Sequence, residues 1–114
     1  MEKHAWVESF PGSITVCDQE GLIIEMNAAS LEYFKDDGGE SLLGASAVDC
    51  HPEPSRSKLC QMMERQQANI YTIEKGDQKK LVCQVPWYLD GEYAGFLELL
   101  VPLPPDMPHF NRNS

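Results

Sequence analysis

Positive charge is scarce in this chain. Nine lysines and arginines stand against eighteen aspartates and glutamates, for a formal net charge of −9. Nucleic-acid binding draws on clustered Lys and Arg that neutralise phosphates. The only adjacent basic pair is Lys79-Lys80, so no nucleic-acid partner is expected. The same acidity argues against anionic membrane surfaces. Long apolar runs are also missing: nothing approaches the roughly 18 residues that cross a bilayer. The opening "MEKHAWVESF" lacks the apolar stretch of a secretory signal. These absences predict a cytoplasmic protein with reduced thiols. Paired cysteines are lacking too. Cys17, Cys50, Cys60 and Cys83 show no Cys-x-x-Cys spacing, which speaks against a zinc site. They read instead as small apolar core residues, with no metal and no cofactor expected.

What the chain does contain fits one domain of 114 residues, 42% hydrophobic and 24% charged, a length that buries a single core. Residues 1–10 read as an N-terminal cap helix with Trp6 and Phe10 on one face. Residues 11–103 form the domain proper, and 104–114 a Pro-rich tail. Within the domain, "SITVCDQEGLIIEMN" predicts two strands around an Asp18–Gly21 turn. Asn27 caps a first helix that stops at Gly38-Gly39. Residues 41–49 form a helical turn, and 53–67 a longer helix burying Leu59, Met62 and Met63. Strands follow at 69–75, 79–88 and 92–101, the last pair joined by an Asp90-Gly91 hairpin turn.

That turn predicts the register of the last two strands. Counting from it, Leu81, Cys83, Val85 and Trp87 share a face with Ala94, Phe96, Glu98 and Leu100. Val82, Gln84, Pro86, Tyr88, Tyr93, Gly95, Leu97 and Leu99 take the other. Both faces are largely apolar, so both need covering. The central helices cover one. The cap helix, or a second subunit, covers the other through Trp6, Phe10, Val85, Trp87, Phe96 and Leu100, which predicts a homodimer.

In order and spacing the chain resembles the PAS domain family, over residues 11–101. The carrying residues are "PGSITVCDQEGLIIEMNAAS", with Ile14, Val16, Asp18, Gly21, Ile23 and Asn27 at the family's spacing, then "LLGASAVDCHPE" and "DGEYAGFLELL". The resemblance implies an α+β fold: a five-stranded antiparallel sheet, short helices over one face, a small cavity between. It implies a sensory or regulatory module in signal transduction or transcription regulation, dimeric, meeting an effector protein in trans. Two departures matter. The family's closing Asp-Ile-Thr is replaced by "VPLP" (101–104), and the flavin-binding Asn-Cys-Arg-Phe-Leu-Gln motif has no counterpart. Carried onto Gly95, the family pattern puts Leu97 in the pocket, together with Leu99, Val82, Gln84 and Tyr88, opposite Leu59 and Met63. Gln84 is then the orienting polar group for a small apolar or amphipathic ligand.

Three features could carry chemistry instead. Cys50-His51 could ligate haem or pair as nucleophile and base. Adjacent residues in extended chain point apart, and Pro52 bends His51 away from the following helix. A structural start to that helix is therefore expected, with Cys50 tucked inward. Glu98 could act as a base in a cavity enzyme of the isomerase type, as could Asp18, but a Glu at the sheet rim is the plainer reading. Met62 and Met63 could adapt to a ligand or simply fill the core. The expected protein is a non-enzymatic sensory module with no catalytic residues. The alternatives are a pure interaction domain with a filled core, a small isomerase-type enzyme, and a haem-binding sensor.

Overall fold

The structure, a computed structural model, describes residues 4–113. Its elements are α1 (Ala5–Glu8), β1 (Ser13–Asp18), β2 (Ile23–Met26), α2 (Ala28–Tyr33), α3 (Ala47–Cys50), α4 (Ser55–Arg65), β3 (Asn69–Lys75), β4 (Gln78–Leu89) and β5 (Glu92–Leu103). Two short 3-10 turns, Lys35–Asp37 and Gly39–Leu42, link α2 to the loop before α3. The strands form one five-stranded antiparallel sheet in the order β2-β1-β5-β4-β3. Among the described residues, no helix is long and apolar enough to cross a membrane.

Local chemistry sets the turns. Asp18 Oδ1 accepts from Glu20 N at 2.9 Å and Leu22 N at 3.0 Å, an Asx turn that Gly21 closes at φ +84°. Asp90 and Gly91 take φ of 52° and 82°, the pair of positive values that a two-residue hairpin matching strand twist demands.

Asn27 acts at longer range. It is buried, caps α2 by accepting from Ser30 N at 3.0 Å, and accepts from Ile14 N at 2.9 Å. Its amide donates to the carbonyls of Val7 and Gly12, each at 3.0 Å. One side chain thus ties α1, the start of β1 and α2 together, with every polar atom paired.

The hairpin starts as its turn predicts, with Leu89 opposite Glu92 and Tyr88 opposite Tyr93. A bulge between Trp87 and Tyr88 then shifts the register by one residue, setting Trp87 opposite Gly95, Gln84 opposite Glu98 and Val82 opposite Leu100. A one-residue slip turns a whole strand over. Phe96 and Leu100, expected on the dimer face, are therefore buried under the helices. Leu97 and Leu99, expected in the pocket, have partners Val16, Val85, Ile14 and Cys83 on the outer face. The β4 half of the expected pattern stands: Val82 and Gln84 face the helices, while Val85 and Trp87 face outward.

Two clusters fill the space under the helices. Cys17, Ile23 and Met26 pack with Leu31, Phe34, Leu42 and Ala47. Leu59, Met62 and Phe96 pack with Ala47, Val48 and Met63. Lys80 Nζ sits 4.2 Å from the Tyr33 ring centre, pinning α2 to the sheet by a cation–π contact. On the outer face Ile14, Val16, Leu81, Cys83, Val85, Trp87, Leu97 and Leu99 stay half-buried. Within α1 no residue is buried and Trp6 is 71% exposed, so the expected cover over that face is partial. Phe10 is half-buried, its ring against Gly12.

Candidate functional site

A cavity of about 390 Å³ lies between the sheet and the helical layer, within the range typical of small-molecule sites. β1, β2 and β5 supply Thr15, Cys17, Ile23, Met26 and Phe96; the helical side supplies Phe34, Leu42, Ala47 and Leu59. Most of this wall is apolar. Its polar groups are Thr15, Asp37, His51, Gln84 and Glu98, with the thiols of Cys17 and Cys50. A second, more polar cavity of about 350 Å³ is lined by His51, Leu59, Gln84 and Glu98 again, and by Ser55, Lys58, Asn69 and Tyr71. Four residues therefore belong to both walls, and three of them are polar.

A directed chain of hydrogen bonds runs through this shared wall. Asn69 Nδ2 donates to Gln84 Oε1 at 3.2 Å, and Gln84 Nε2 donates to Glu98 Oε2 at 2.8 Å. The chain ends on a carboxylate that no Lys or Arg pairs with among the described residues. Its charge is felt nearby. Burial first, then Glu98, hold the Tyr71 hydroxyl above its ordinary value. The half-buried ring of His51 donates from Nδ1 to the carbonyl of Ala47 at 2.5 Å; a carbonyl only accepts, so Nδ1 carries a proton, and in the neutral ring the lone pair lies on Nε2. That arrangement is the one metal-ligating histidines adopt. Thr15 Oγ1 and the buried Ser30 Oγ share a hydrogen bond of 2.6 Å.

Of the residues expected in a pocket, Leu59, Gln84 and Leu97 line the cavity. Met63 packs beneath it against Gly21, and Val82 is buried in the sheet. Tyr88 stands exposed at the rim, its hydroxyl donating to Gln66 at 3.5 Å, and Leu99 lies on the far face. Glu98, expected at a rim, borders the cavity, whereas Asp18 is committed to its turn. His51 has the extended backbone expected before Pro52, and it lines the cavity, its ring turned back onto the Ala47 carbonyl. Cys50 is exposed rather than tucked in. Glu53 serves the start of α4, its carboxylate accepting from Ser57 N at 3.0 Å. Among the described residues no three His, Cys, Asp or Glu side chains group as metal ligands.

The register slip hid Glu98 and Phe96. One signal could have shown it: Gly95 lies inside a strand, where glycine marks a bulge or a close approach of backbones. Here it is both. Gly95 has φ +154°, and a Cβ on it would collide with the Cys17 carbonyl and lie 2.8 Å from Trp87 Nε1. The indole crosses β5 at that point and donates to the Cys17 carbonyl at 2.9 Å.

No curated protein matches the chain. Solved structures do. A C-terminal domain from Streptococcus mutans superposes with a TM-score of 0.71 at 17% identity, over 87% of this chain and 81% of that one. The Aer2 receptor from Vibrio cholerae, described as a dual PAS-heme oxygen sensor, gives 0.60 at 16% identity over 82% and 95%. A sensory box sensor histidine kinase from Vibrio cholerae gives 0.59 at 13% identity over 86% and 86%. At these identities the likeness is one of fold. A family model described as the PAS fold matches residues 7–101, and with the sheet order and the cavity as found, the chain belongs to the PAS family.

Proposed function

We propose that this PAS domain is a non-enzymatic sensory or regulatory module that takes a small apolar or amphipathic molecule between its sheet and helices. The cavity carries the reading: about 390 Å³ of mostly apolar wall closed at one side by Gln84 and Glu98. A filled core, as a pure interaction domain would have, lacks such a space. The fold neighbours described as an oxygen sensor and a sensor kinase support a signalling role, in the cytoplasm and through an effector in trans, with transcription regulation among the outputs. Homodimerisation through the outer face, around Val85, Trp87, Leu97 and Leu99 with α1 beside it, is part of the same proposal, because that face is apolar and half-exposed.

Native mass spectrometry of freshly purified protein tests both halves. A dimer with a small mass bound to each subunit is expected. An empty monomer overturns the reading.

A second reading, a haem sensor, is favoured by His51, whose ring lines the cavity with Nε2 free to ligate. An absorption spectrum separates the two. A Soret band that vanishes in His51→Gln selects haem; its absence selects the organic ligand.

A further inference from the structure

The polar groups around the cavity are unevenly matched. Glu98 offers a carboxylate whose Oε2 takes the Gln84 amide, while Oε1 accepts no hydrogen bond among the described residues. His51 offers Nε2, because the Ala47 carbonyl fixes the proton on Nδ1. Asp37 adds a second carboxylate to the same wall. Against these acceptors the inner wall sets the one spare amide hydrogen of Gln84, while the hydroxyls of Ser55 and Tyr71 line only the outer cavity. Lys58 reaches only the outer cavity and makes no ion pair with Glu98. A half-buried carboxylate with one amide donor and no cation still has acceptor capacity for a charged donor. The whole chain, at a formal −9, attracts cations and repels anions before contact.

We infer that the molecule this cavity selects is a protonated amine on an apolar body, with its ammonium on Glu98 Oε1. The inference rests on the cavity being a ligand site. The apolar body would lie along Phe34, Leu42 and Phe96, and the head would sit at the wall shared with the outer cavity. Carboxylates of the same shape would meet Glu98 and Asp37 as like charges.

Three probes of one shape and different heads decide the matter: phenylbutylamine, phenylbutanol and phenylbutyrate, titrated calorimetrically into the full chain near neutral pH. The amine should bind about tenfold or more tightly than the alcohol, and phenylbutyrate should bind worst. Glu98→Gln, which keeps an oxygen for Gln84, should bring the amine down to the alcohol. An alcohol that binds as well as the amine, or an acid that binds best, overturns the inference and leaves the cavity as a ligand site. An amine preference that survives Glu98→Gln overturns the assignment to Glu98. If none of the three binds at millimolar concentration, the ligand-site reading falls and this inference with it. Should Glu98→Gln fail to fold, the ranking of the three heads on the unaltered protein decides alone.

Discussion

Among the glycines of the described residues, Gly95 sits in the tightest space. Alanine there would meet the Cys17 carbonyl and the Trp87 indole, and its φ of +154° is one that L side chains avoid. Gly95→Ala should therefore lower stability by about 4 kcal/mol, read from urea unfolding. Its neighbour Cys17 is equally constrained. Burial, then the charges of Glu98 and Asp18 and the Cys50 thiol, push its pKa from 9.0 up to about 12. The folded state keeps this proton longer than the unfolded chain does. The stabilisation is complete below pH 9.0 and is lost as the pH rises towards 12. Denaturant midpoints should fall over that window, and less steeply in Cys17→Ala. At neutral pH a thiol reagent should modify the exposed Cys50 and Cys60 first, and Cys17 only after unfolding.

Between elements, Asn27 is the joint. Asn27→Ala removes the α2 cap, strands the Ile14 amide and the Gly12 carbonyl, and leaves the Val7 carbonyl only its bond from Phe10 N. A loss of about 3 kcal/mol is expected, with hydrogen exchange quickening across α1. Asn27→Asp keeps the two acceptor bonds but turns a carboxylate on two carbonyls, so it should release α1 as well. Asn27 was readable as a cap because capping is local, a side chain answering an amide three residues on. The two hairpin turns were readable for the same reason: Asp18, Gly21, Asp90 and Gly91 carry their geometry in their own backbones. The bulge at Trp87 was not. It arises because an indole from β4 must cross β5 to reach a carbonyl in β1, a partnership between residues 70 apart in the chain. With it went the facing of Phe96, Leu97, Glu98, Leu99 and Leu100. Leu42 in the cavity's helical wall was also hidden, since it comes from a short turn with no periodic stripe to read.

At the scale of the whole molecule, the proposed homodimer is tested on the outer face. Val85→Glu places a charge opposite Leu97 on the outer face, at a residue outside the cavity wall. It should halve the mass seen by light scattering while the far-ultraviolet circular dichroism stays unchanged; a retained dimer would move the interface elsewhere. The indole bonded to the Cys17 carbonyl has one more consequence. The chain has two tryptophans. Trp6 is 71% exposed, whereas Trp87 is half-buried and tied by its N–H to a residue of the cavity wall. Iodide should therefore quench Trp6 and spare Trp87. In Trp6→Phe the remaining emission becomes an optical gauge mounted on the back of the cavity, so that filling it is read as a change in colour or brightness without any added dye.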